Sequence, residues 1–402
     1  MISLDIANID QYLSQQGRFC LIGWLLSQNY LHYADYESWR YGQLDYLDNA
    51  LLIDREALAI LLSDTTKYCG SLGLCSESQV FYRWECQHRV ALNASKQPEY
   101  HQQLTQHWLR PQDLPQLDLF MDNSPQIIEN ELRDTLSGRQ FDRAELLLKQ
   151  LVELNPTHPH LGAYQDLLNY GQYMQSNPNI DAASLEGELE GLKKEVLPLA
   201  EEVLMTQARD YLAFAWRRMA NNLDTIPFNP QAPQLHPSFA LAQIPDWPAV
   251  QQCLEQDLVL YQYPSLLERL AIAYQALQQS GPSQLLWCLL MEKDFQYAEE
   301  AIDNQRGQSI YQLRKDFWDF GDVWPSNYFP AFVLAKSPGL IRHIEAFAPL
   351  RLQASQAMIA LLRRYLDGED EITAREDLQK ISPALLRMYM DARNTYKRIG
   401  RL

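Results

Sequence analysis

The sequence predicts an all-α protein of stacked antiparallel helical hairpins behind an N-terminal helical module. Three observations carry that expectation. Gly is scarce, 16 in 402 residues, and the runs between punctuating residues are rich in Leu, Ala, Gln and Glu, a helical composition. Apolar residues recur within those runs at helical spacing, whereas few runs alternate as strands do. Hydrophobic residues make up 47% of the chain, enough for a sizeable core in two or three domains or in one continuous stack.

The plainest hairpin runs from Leu132 to Pro156. Gly138 allows a sharp turn, and Phe141 and Leu148 fill the groove beside a neighbouring helix. Ala144 is small enough to let that neighbour approach. Leu146, Leu147, Leu148, Leu151 and Leu154 form a broad apolar face, and Pro156 stops the helix. Phe141, Ala144, Leu148 and Pro156 stand at the spacings of the second half of a tetratricopeptide repeat, which this stretch resembles over about residues 126–168. Leu151 departs from that pattern, which has a small residue there. The run Lys293 to Ile302 repeats the aromatic and small pair at Phe295 and Ala298. The resemblance implies a tetratricopeptide-like α-solenoid, whose successive hairpins leave a groove that takes a peptide or helix of another protein.

Taken in order, residues 1–94 read as the N-terminal module. Ile6, Ile9 and Leu13 begin a helix that Gly17 ends, and Phe19 to Leu26 is apolar enough for a buried helix or strand. Tyr30, Tyr33, Tyr36, Trp39, Tyr41 and Tyr46 then crowd around Arg40. Such a cluster is either a recognition pocket with Arg40 as its anchor or, more plainly, an aromatic layer between packed helices. Asp54 caps a helix reaching about Cys69. Residues 95–125 are polar and proline-punctuated, a connector with a short helix or two. Hairpins occupy 126–225, including one long helix from Leu192 to Leu223 in which Pro198 marks a kink or restart. Six prolines from Pro227 to Pro248 make 226–248 a crossing loop packed on the surface. Helical hairpins resume over 249–402, with Pro338, Pro349 and Pro383 each opening a helix. The last helix ends basic, with Arg393, Lys397, Arg398 and Arg401.

Charge and cysteine usage narrow the function. A net charge of −17 disfavours generic binding to nucleic acid or anionic lipid. Cys20, Cys69, Cys75, Cys86, Cys253 and Cys288 form no CxxC pair and read as buried thiols in a reducing compartment. Cys69, Cys75, Cys86 and His88 are spaced too widely for the short turns that zinc needs. His158 and His160 read as a plain proline turn, so no metal or cofactor is expected. The start MISLDIANIDQYL shows no signal peptide, and no run of about 18 apolar residues stands out for a membrane helix. These features point to the cytoplasm.

No nucleotide-binding glycine motif, zinc-protease motif or nucleophile elbow is present. The expected function is therefore a cytoplasmic adaptor or scaffold that binds another protein or peptide, without catalysis. Tyr36, Trp39, Arg40, Trp318 and Trp324 are its expected exposed anchors. The alternative is a helical-toroid glycoside hydrolase. Its acid and base would come from Asp316, Asp319 and Asp322, with Trp318 and Trp324 stacking on the sugar.

Overall fold

The structure, a computed structural model, describes residues 9–10, 12–13, 18–85, 90–110, 124–257, 259–320 and 324–399, with backbone alone at 124, 206 and 395–399. Helix makes up 71% and strand 3%, so the class is all-α. The chain forms two compact units, Met1–Asp246 and Trp247–Leu402. No helix among the described residues is long and apolar enough to cross a membrane.

The first unit begins with β1 (Phe19–Cys20), α1 (Leu21–Ser27), α2 (Tyr33–Arg40) and α3 (Arg55–Ser71). Asp54 caps α3 by accepting from the Ala57 amide at 2.7 Å. Then follow β2 (Cys75–Ser78), α4 (Pro98–Thr105) and β3 (Gln106–Leu109). The strands form one antiparallel sheet in the order β1-β3-β2, with Trp108 opposite both Phe19 and Ser76. The central strand thus lies in the stretch that reads as a connector. It is too short for alternation to declare it, and burial of His107 and Trp108 holds it in place.

The hairpins of this unit are α5 (Ser124–Ser137), α6 (Phe141–Leu154), α7 (Leu161–Ser176), α8 (Leu185–Gly191), α9 (Leu197–Leu204), α10 (Ala208–Leu223) and α11 (Pro237–Gln243). Consecutive members α5, α6 and α7 pack on one another. Phe141, Ala144, Leu148 and Leu151 are buried, as their spacing implies, but Leu146 and Leu154 face solvent. The turn works differently from its glycine. The left-handed residue is Arg139, at φ 61°. Gly138 is needed because a Cβ there would meet the Asp134 carbonyl at 2.9 Å. A buried network ties the stack together. Arg133 Nη2 donates to Glu129 at 2.5 Å, Tyr164 donates to Glu129 at 2.8 Å, and Arg133 Nε donates to the Val203 carbonyl at 2.8 Å.

Gly171 shows how closely α6 and α7 approach. A Cβ at that position would lie 2.2 Å from Cε1 of the Phe141 ring. Gly171→Ala should therefore destabilise the first unit by about 1–3 kcal/mol, despite a helix-propensity gain of about 1 kcal/mol. Urea unfolding followed by circular dichroism measures this. An unchanged midpoint would show that the ring moves aside freely.

Two features refine the proline reading. The long helix does restart at Pro198, which sits in the first turn of α9 directly after a π-helical turn, Leu192–Val196, but it breaks a second time at Met205, whose φ is 53°. Within 226–248 a helix does form. Pro237 occupies the first turn of α11, where a missing amide donor breaks no bond, and His236 caps it by accepting from the Ser238 amide.

The second unit consists of α12 (Trp247–Glu255), α13 (Pro264–Ala276), α14 (Ser280–Lys293), α15 (Phe295–Asp303), α16 (Ser309–Trp318), α17 (Phe329–Lys336), α18 (Gln353–Asp367), α19 (Ile372–Ile381) and α20 (Pro383–Ile399). Pro338 opens a 3-10 turn to Ala346, whereas α18 begins only at Gln353, after Pro349. In the echo of the first hairpin, Ala298 is buried while Phe295 stays partly in solvent. Phe317 is the centre of an aromatic nest, with Trp324, Phe329 and Phe332 edge-on at 5.5, 5.5 and 5.4 Å. The basic last helix docks on its own unit, where Arg393, Arg375 and Tyr389 all donate to Glu371.

Candidate functional site

The expected anchors divide sharply. Tyr36, Trp39 and Arg40 are buried in the first unit, and Trp324 is buried in the second. Trp318 alone is exposed, at 42%. The other four were expected at the surface, and burial follows from their partners. Trp39 donates its indole N–H to the Asn93 carbonyl at 3.0 Å, and Trp324 sits against Phe317 and Phe320. Arg40 Nη1 donates to both Tyr36 Oη at 2.6 Å and Asp210 Oδ2 at 2.7 Å, and the Tyr36 hydroxyl donates to the same carboxylate at 2.9 Å. The guanidinium also lies 4.6 Å from the Trp84 ring centroid. A charge satisfied this way can stay inside.

The carboxylates of the alternative reading lie at the end of α16. Asp319 is exposed, and Asp316 is partly buried and accepts from Gln312 at 2.6 Å. Asp322 lies outside the described residues, as do Cys86 and His88. No cluster of metal-ligating side chains occurs among the described residues. His158 pairs with Glu129 at 3.5 Å on the turn before α7.

What the Arg40 cluster builds is one wall of a cavity of about 970 Å³ in the first unit, partly open to solvent. Tyr12, Arg18 and Cys20 contribute from the chain start, Gln79, Phe81 and His107 from around the sheet. Asp134, Thr135 and Gln140 come from the hairpin turn, and Arg209, Asp210 and Trp216 from α10. Arg83 and Glu201 stand exposed at its mouth. Asp210 falls in the first turn of α10, where the helix dipole favours a carboxylate.

The electrostatics of this cavity are uneven. Burial pulls the Arg18 guanidinium below its ordinary value. Burial acts downward on Arg209 also, but Asp210 and the tyrosines Tyr36, Tyr33 and Tyr12 outweigh it and hold Arg209 above its ordinary value. Burial, with help from Arg18, pushes His107 down to about 3, so its imidazole is neutral. Burial lifts Tyr12 to about 12 and Tyr36 higher still. Several buried polar atoms on these walls have no hydrogen-bond partner: Arg209 Nε, His107 Nε2, Asp210 Oδ1, Gln79 Oε1 and Gln140 Oε1.

Beside it lies a smaller pocket of about 420 Å³, where Glu37 accepts from Arg217 at 2.6 Å. Arg139 closes that pocket, its guanidinium 4.2 Å from the Trp84 ring and 4.9 Å from Phe214. Of these residues, sequence reasoning found Tyr36 and Arg40 and missed Arg139, Arg209, Asp210 and His107. Arg209 and Asp210 fall off the helical face made by Leu204, Ala208, Tyr211, Leu212 and Ala215, so periodicity alone marks them as ordinary polar positions.

A second surface feature belongs to the α5–α6 hairpin. Ile127 is 64% and Leu146 60% exposed, and Val152 and Leu154 are exposed as well. Antiparallel pairing brings the start of α5 beside the end of α6, so Ile127, Val152 and Leu154 share the open end of the hairpin. Compared with known proteins, the chain matches no family model, no curated protein and no solved structure.

Proposed function

We propose that the chain is a cytoplasmic protein-interaction scaffold, non-catalytic, whose tetratricopeptide-like hairpins take an apolar helix or peptide of another protein. The carrying observation is the group of large apolar side chains left in solvent on one hairpin, Ile127, Leu146, Val152 and Leu154. Single exposed apolar residues are ordinary, but Ile127, Val152 and Leu154 fall at the same end of one hairpin, where together they can form an interaction surface. The close α6–α7 approach at Phe141 and Gly171 supports the same reading, because a rigid stack presents that surface without ordering cost. The anchors on this hairpin are therefore Ile127 and Leu154.

The test is a paired Ile127→Glu and Leu154→Glu variant of the full chain. Exposed positions change stability by only about 0.5 kcal/mol, so helix content and unfolding midpoint should stay as they are. Affinity capture from the native cell extract with quantitative mass spectrometry should show a partner enriched on the unaltered chain and depleted at least tenfold on the variant. Identical recoveries on both chains would remove this hairpin as the docking surface.

A further inference from the structure

We propose that the large cavity of the first unit is a binding site for a small organic oxyanion, a phosphate ester or carboxylate that also carries hydroxyl or amino hydrogens, with Arg209 as the principal ligand-binding group. This site is separate from the hairpin surface and does not depend on it.

The protein carries −17 overall, yet four arginines, Arg18, Arg40, Arg83 and Arg209, line this one space against three carboxylates, Asp134, Glu201 and Asp210. Arg40 is accounted for by Asp210. Arg209, which precedes Asp210 on the same helix, is held charged by Asp210 and the surrounding tyrosines, yet its Nε is buried without a hydrogen-bond partner. A guanidinium kept charged at a cavity wall with a donor unused offers an entering anion a planar hydrogen-bonding fork.

The other walls supply complementary chemistry. His107 is 6% exposed and neutral, with Nε2 unpartnered. Asp210 Oδ1, Gln79 Oε1 and Gln140 Oε1 are acceptors without donors. These five buried polar atoms face one space, where a single guest can satisfy them together. Arg209 calls for an anionic oxygen, and the three acceptors call for hydrogens on the same molecule. Tyr36, Phe81 and Trp216 supply apolar surface, and about 970 Å³ suits a metabolite-sized guest.

The test titrates the full chain with glycerol 3-phosphate, inorganic phosphate and citrate at constant ionic strength, by calorimetry and thermal unfolding. Saturable binding of glycerol 3-phosphate tighter than inorganic phosphate identifies the phosphate-ester class, and preference for citrate identifies the carboxylate class. In either case Arg209→Gln should weaken binding at least tenfold. Affinity is the readout that separates the roles: a purely structural arginine would lower the ligand-free unfolding temperature and leave affinity unchanged. Should the Gln variant fail to fold, Arg209→Lys, which keeps the charge but loses the planar fork, is titrated instead and should also bind more weakly. Absence of saturable binding by all three probes at millimolar concentration would overturn the proposal. So would affinities that ignore both Arg209 variants.

Discussion

Replacing Arg40 with alanine should destabilise the first unit by about 3–5 kcal/mol, among the largest effects of any single change in the chain. The side chains of Arg40 and Asp210 are 8% and 11% exposed and meet at 2.7 Å, so removing the guanidinium strands a buried carboxylate. Among the described residues Tyr36 would remain as the only donor to Asp210 Oδ2, and the stacking on Trp84 would be lost as well. Part of the loss is avoidable. In Arg40→Met combined with Asp210→Leu neither charge is stranded, and the pair should recover most of the stability. Urea unfolding of the two single variants and the double variant, read by tryptophan fluorescence, yields the coupling energy directly. If Arg40→Ala shifts the midpoint no more than an exposed substitution does, the pair is not a determinant of the core.

This pair also marks what the sequence leaves unsaid. Arg40 and Asp210 lie 170 residues apart, so their proximity has no local signature. The α5–α6 hairpin was legible because its information is local. Phe141, Ala144 and Leu148 sit a helical turn or two from one another, and their burial follows from one periodicity. That periodicity cannot say how far the buried arc extends. Leu146 and Leu154 have the same side chain as Leu147 and Leu151, and only the place of neighbouring helices separates exposed from buried. The aromatic cluster around Arg40 was visible as a cluster, but its side of the surface depended on that distant carboxylate. Strand β3 escaped notice for a related reason: its residues pair with β1, which precedes it by more than eighty positions, and with β2. Pro237 shows a limit of counting. Proline density argues against helix in general, yet one proline at a first turn favours it.

Acid should expose His107 as a second large contributor to the stability of the first unit. Its imidazole is buried, and its folded value is depressed to about 3 from an ordinary 6.5. Between those values the unfolded chain binds a proton that the folded chain does not, so stability rises with pH across the window and is lost as pH falls. The contribution is fully present above about pH 6.5 and declines steadily toward pH 3. Other groups titrate in the same range, so the informative quantity is a difference between two chains. His107→Gln cannot titrate there, and between pH 7 and 4 it should lose about 3 kcal/mol less stability than the unaltered chain. Urea midpoints at successive pH values measure it. Parallel curves for the two chains would mean that water or the ligand cavity already reaches the ring and lets it protonate in the folded state. The same measurement made with a bound oxyanion carries more information. An anion beside His107 would counter the Arg18 charge that helps keep the imidazole neutral, so its folded value should rise and the two curves should draw together.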